Sequence, residues 1–164
     1  MRHLVLILAL SILACGGKHK GDREARSSGE RDRKEHRDDS PGTQCIEQAK
    51  IARTPSTEAP ERIDVAQILV RHAGVRDAGG VYRTREEACL RAMEARDKLL
   101  AGGDWDEVFK KYSDAQGATQ GVLYDVTQGS LEPAFAGAAF SLAVDELSYV
   151  VETKRGFHII WRKE

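Results

Sequence analysis

The stretch Gly129–Glu164, GSLEPAFAGAAFSLAVDELSYVVETKRGFHIIWRKE, decides how the rest of the chain is read. It opens on a short apolar helix pattern, Phe135, Ala138, Ala139, Phe140 and Leu142, and turns at Val144–Glu146. Two strand-like runs follow, Leu147–Glu152 and Phe157–Arg162, joined through Thr153–Gly156. His158 stands inside the last apolar run, where a polar ring must be hydrogen-bonded or put to use.

Working upstream, Ile63–Val70 is dense in β-branched and aliphatic residues and reads as a strand with Gln67 at its centre. An Arg-rich loop with glycines follows, and then Thr84 and Glu87, spaced as a capping box that opens a helix running to about Leu100. Gly102-Gly103 ends that helix, and Asp104 caps a shorter one over Trp105–Tyr112 with Trp105, Val108 and Phe109 on its apolar side. The loop Ser113–Gly121 leads to a short strand, Val122–Val126. The order β, α, α, β, α, β, β does not alternate as βαβ units do. It predicts an α+β fold in which helices wrap a mostly antiparallel sheet.

Lys and Arg number 25 against 26 Asp and Glu, a net charge of −1, which argues against a nucleic-acid partner. The three cysteines form no CxxC pair, so neither a zinc site nor a redox motif is indicated. No metal spacing, phosphate loop or Ser/His/Asp order is found, and no cofactor is expected.

The start of the chain reads as an address. Met1-Arg2-His3 precedes the apolar run Leu4–Leu13, which is too short to span a bilayer and has the length of a signal-peptide core. Ile12-Leu13-Ala14-Cys15-Gly16 resembles the lipobox of bacterial lipoproteins, which implies cleavage of residues 1–14 and acylation of Cys15. The other reading is an ordinary signal peptide cut after Ala14, and under either one the protein is exported. With acylation the expected location is the cell envelope, lipid-anchored to a membrane. Residues 15–61 are expected to form a disordered charged tether with a short helix at 44–53, stopped by Pro55 and Pro60. The folded domain is then 62–164. Cys45 and Cys89 are either a staple between the 44–53 segment and the first long helix, or two free thiols.

Five pieces of the domain, in order, carry a resemblance: AQILVRH, TREEA, GGDWDEVFKKYSD, GSLEPAFAGAAFSL and VVETKRGFHII. Together they resemble the parvulin-type peptidyl-prolyl cis-trans isomerases over about Ile63–Glu164, a family whose fold is a four-stranded sheet wrapped by helices. The resemblance implies a proline socket of Leu123, Leu131 and Phe135 with Phe140 nearby, and places His158 as the second of the family's paired histidines. Gln67 stands where the first histidine is usual and retains the ability to hydrogen-bond His158. Either Asp114 or Ala115 occupies the position of the family's Cys or Asp, and Asp114 would keep a carboxylate at the polar side. The family's glycine-rich GGDLG turn has become Gly121-Val122-Leu123-Tyr124-Asp125, and Arg155 replaces a small polar residue. Arg71, Arg76, Arg83 and Arg85 are read as a solvated face. Some family members use basic residues there to prefer a phosphorylated residue before proline.

Prolyl isomerisation breaks no covalent bond. Its barrier of about 18–20 kcal/mol is amide conjugation, so a catalyst needs an apolar seat for the ring and groups that favour the twisted amide over the planar one. The expected function is an isomerase acting on proline-containing chains during folding of exported proteins, with His158, Gln67 and Asp114 as its polar side. The alternative is a parvulin-fold chaperone that holds such chains without turning them over. A purely structural envelope lipoprotein would leave the socket unexplained.

Overall fold

The computed structural model describes residues 40–115 and 119–164. The signal-like segment 1–14, Cys15 and the charged run to residue 39 lie outside the described residues. The sheet has four antiparallel strands, β1 (Ile63–Val70), β2 (Val122–Val126), β3 (Val151–Thr153) and β4 (Gly156–Arg162), in the order β2-β1-β4-β3. The helices are α1 (Pro41–Ala49), α2 (Arg85–Leu100), α3 (Trp105–Tyr112) and α4 (Pro133–Ala139). This is the α+β arrangement the element order predicts.

β1 and β4 are the central pair and are covered on both faces, which is why both read as near-continuous apolar runs. The two-residue period of a strand sorts them cleanly. Ile68, Val70, Phe157 and Ile159 join α1, α2 and α3 in one core, where Ala88, Cys89, Ala92 and Ala95 give α2 a flat, fully buried side. Ile63, Val65 and Ile160 point the other way, into a second core with Phe135, Ala138, Ala139 and Phe140 around α4. By the same alternation Gln67 and His158 emerge on the α4 side. Leu69 is the direct partner of His158 and Ile160 that of Gln67, so the two polar residues are diagonal neighbours across β1 and β4.

The caps explain where the helices begin. Thr84 and Glu87 form both halves of the capping box at α2, and the Asp104 carboxylate accepts from Glu107 N at α3. At α1 the expected span, 44–53, is displaced. The Ser40 hydroxyl caps Thr43 N at 3.2 Å with Pro41 at the first helical position, so the helix starts early and ends at Ala49. Cys45 and Cys89 are joined in a disulfide, with Cα atoms 6.0 Å apart, and Cys45, Ile46 and Ala49 are buried against α2. Folded packing therefore reaches back to Ser40, ahead of the expected boundary at residue 62.

The strand expected over Leu147–Glu152 is also shorter. Leu147 bridges Trp161, but regular pairing resumes only at Val151 opposite His158, with one extra residue on the 147–151 side. Ser148 closes the gap: its N–H donates to Ile160 O at 2.8 Å and its hydroxyl accepts from Ile160 N at 2.9 Å. Buried Arg162 ties the turn before this segment to β4 by donating to Leu142 O at 2.6 Å.

Candidate active site

On the α4 side of the sheet, β1, β2, β4 and the N-terminal turn of α4 border a half-open cavity of about 160 Å³. That is close to the volume of about 150 Å³ that holds one benzene ring in an engineered apolar cavity. Leu123 from β2, Leu131 from the turn before α4 and Phe135 from α4 form its apolar walls. Gln67 and His158 form the floor, and Thr153 and Arg155 stand at the β3–β4 hairpin side.

The floor is a closed hydrogen-bond chain. His158 Nδ1 lies 2.8 Å from Gln67 Oε1, and His158 Nε2 lies 2.8 Å from the Thr153 hydroxyl. An amide oxygen only accepts, so in this orientation the proton sits on Nδ1 and the threonine hydroxyl donates to Nε2. Thr153 Oγ1 in turn accepts from Arg155 N at 3.0 Å. His158 is 2 % exposed, and burial, with the Arg155 charge as a second cause, lowers its pKa to about 3. The imidazole is therefore neutral at physiological pH. The Phe135 ring meets it edge to face, with centroids 5.2 Å apart.

Both ring nitrogens of His158 are engaged, so the groups left to act on a ligand are elsewhere. The Gln67 amide nitrogen has no hydrogen-bond partner among the described residues, and Gln67 lines the cavity. It is the neutral donor at the floor. Gly121, at φ +82°, holds the entry to β2 against it: its O accepts from Gln67 N at 2.9 Å, and a Cβ there would lie 2.1 Å from Gln67 O. The altered glycine-rich turn thus retains the glycine at its tightest contact. Positive φ recurs at Asp125, +53°, held by Arg62 at 2.7 Å and by the Asp64 carboxylate on its N–H.

Two of the residues named from sequence lie apart from the cavity. Asp114 does not line it. Its carboxylate accepts from Arg71 N at 2.8 Å and pairs with the Arg83 guanidinium, while its own N–H donates to Leu69 O, so it clamps the end of β1. Phe140 is fully buried behind the wall, packed with Val65 and Ile160. The reading of the arginines as a solvated face is corrected for two of them. Arg83 is bound to Asp114 and Arg71 O, and Arg85 makes two 2.6 Å bonds to Glu152, because each lies beside a carboxylate that a distant element delivers.

Thr153 and Glu132 are additions. Thr153 pairs with Gly156 and Val151 with His158, so a hairpin with two residues between Thr153 and Gly156 already puts the hydroxyl diagonal to the imidazole. Glu132, the residue before α4, accepts from Lys154 N at 3.2 Å and joins the hairpin tip to the cavity wall.

Comparison with known proteins bears on what such a cavity does. The family model of the PPIC-type PPIase (rotamase) domain matches residues 68–164. The chain is 35% identical over 113 residues to a putative peptidyl-prolyl cis-trans isomerase, dodo, of Drosophila melanogaster, covering 65% of this chain and 68% of that one. It is 39% identical over 71 residues to the foldase protein PrsA of Halalkalibacterium halodurans, a match that covers 42% of this chain and 21% of the foldase. Among solved structures it superposes on peptidyl-prolyl isomerase ESS1 from Candida albicans with a TM-score of 0.60 at 26% identity, covering 67% of this chain and 66% of that one.

Proposed function

This chain belongs to the PPIC-type (parvulin) peptidyl-prolyl cis-trans isomerases, and from that premise we propose that it accelerates prolyl exchange in exported proteins as they fold, anchored at the cell envelope through Cys15. The observation that carries the catalytic part is a neutral hydrogen-bonded floor beneath a ring-sized cavity walled by Leu123, Leu131 and Phe135. The prolyl ring sits against Leu123, Leu131 and Phe135. The amide beyond it lies over Gln67, with the Arg155 guanidinium at the rim.

Twisting the prolyl amide localises the nitrogen lone pair and makes that nitrogen an acceptor, which it is not when planar. A donor aimed there is used only near the top of the barrier, and each 1.4 kcal/mol of such preference is worth about tenfold in rate. Gln67 Nε2 is assigned that donation. His158 acts through Gln67 and Thr153: by taking Oε1 it turns the amide nitrogen toward the substrate, and being neutral it adds no charge beneath the ring. It is a positioning residue.

Three observations support the envelope part. Residues 1–16 have the signal and lipobox pattern, the Cys45–Cys89 disulfide suits an oxidising compartment, and a relative of matching sequence is a foldase. Two experiments test the proposal. The exported chain should speed cis-trans exchange of a prolyl tetrapeptide and the slow refolding phase of a proline-limited protein. Exchange at the uncatalysed rate, with unfolded chains still bound, would instead make it a holding chaperone. Metabolic labelling with a radioactive fatty acid should mark the protein, and Cys15→Ala should abolish the label.

A further inference from the structure

The strongest unassigned feature is the segment 50–59, which lies outside the residues the family model matches, 68–164. We propose that this segment is a strap that sets the position of Phe135, making it a working part of the isomerase site. The inference rests on the cavity being the site of prolyl binding.

α4 has seven residues, two turns, and a helix that short takes its stability from what packs on it. One side lies on the sheet, where Phe135 joins Val65, Val151 and Ile160. The strap crosses elsewhere on the same helix at backbone contact. A Cβ on Gly137 would lie 2.2 Å from Arg53 O, so only glycine admits the strap at that point. One step further on, Ser56 N donates to Phe140 O at 2.9 Å, satisfying a carbonyl that the end of α4 leaves open. Ala59 then packs into the cluster that contains Phe135.

A strap restrains only if its ends are fixed, and both are. Upstream, α1 is joined to α2 by the Cys45–Cys89 disulfide and by the burial of Ile46 and Ala49. Downstream, Ile63 begins the ladder of β1. Between them the Arg53 guanidinium lies 5.3 Å from the centre of the Tyr149 ring. Releasing the strap lets α4 shift off the sheet and widens the gap between Phe135 and His158. Catalytic and binding groups are sensitive to displacements of about 1 Å.

The test compares the full chain with Gly137→Ala, whose new methyl displaces Arg53 O, and with the double variant Cys45→Ala/Cys89→Ala, which frees the upstream end. Three quantities are read for each: kcat and KM for exchange of an alanine–proline tetrapeptide, its Kd from NMR shifts of the His158 ring, and cooperative unfolding in urea. Gly137→Ala should raise KM and Kd by about five- to tenfold, with kcat altered less. The double variant should move the same way by about two- to fivefold, with Arg53 becoming a trypsin site. If both variants unfold cooperatively and bind the peptide within twofold of wild type, the proposal is overturned. Should Gly137→Ala fail to fold, the double variant decides alone. A wild-type chain that binds the peptide without speeding exchange refutes the isomerase reading but leaves Kd to judge the strap, and one that does not bind it overturns both.

Discussion

Two polar clusters lie along β1, a few residues apart, and they handle burial in opposite ways. At Gln67 the cluster is neutral: imidazole, amide and hydroxyl, each hydrogen-bonded, with His158 only 2 % exposed. At Leu69–Arg71 the cluster is ionic: Asp114 and Arg83 retain 19% and 25% of their side-chain exposure and close on each other and on the backbone. A buried charge costs several kcal/mol, so the ionic pair sits where solvent still reaches it. The floor of the cavity is polar without being charged. The proposed chemistry and the ionic restraint are thus separated along one strand.

The largest test of this contrast is acid. The folded pKa of His158 is depressed to about 3, while the unfolded ring titrates near its ordinary value of 6.5. Above pH 6.5 neither state takes the proton and the stability is full. As pH falls below 6.5 the unfolded chain binds a proton that the folded chain refuses, and stability falls until the folded group titrates near pH 3. The loss from this group between pH 6.5 and 4.5 is about 2 kcal/mol. Urea melts at the two pH values measure it, and His158→Gln should show correspondingly less loss. A titration of kcat/KM near 6.5 that His158→Gln abolishes would break the claim that the floor is neutral.

Next in size is the apolar wall. Phe135→Ala removes the ring that faces both the imidazole and the cavity, and kcat/KM should fall by about 10- to 100-fold per folded molecule, the value of one buried aromatic contact. Thr153→Val keeps the shape but removes the donor to His158 Nε2. The freed ring can then turn from Gln67, so kcat should drop by about three- to tenfold with KM little changed. The smallest effect belongs to the ionic cluster. Asp114→Asn should cost stability in urea yet hold kcat/KM within about twofold, under 0.5 kcal/mol. A hundredfold loss there would return Asp114 to the chemistry and erase the separation.

The local parts of this fold were legible in the sequence. Thr84 with Glu87, and Asp104 ahead of Trp105, are short-range signals whose geometry needs nothing beyond the next turn. The alternation in β1 and β4 likewise turned Gln67 and His158 to one side. What was misplaced depends on partners far along the chain. Asp114 has the residue type of a catalytic acid, and only the arrival of Arg83 and Arg71 N beside it reveals a clamp. Residues 50–59, broken by Pro55 and followed by Pro60, look like spacer until the bare backbone of Gly137 is set beneath them. The resemblance set Phe140 near the socket, and the chain turns after Ala139 so that its ring lies in the core behind the wall.

The central pair of the sheet joins β1 to β4, and the Gln67–His158 bond closes a span of 91 residues. Contacts of such range are slow to form and are absent from any shorter fragment. A chain delivered from its N-terminus, by a ribosome or through a membrane pore, can complete α1, α2 and α3 and still have no cavity floor. It must wait for β4. During that interval β1 presents an apolar edge with an unpaired glutamine, so the catalyst itself spends its early life as an open sheet.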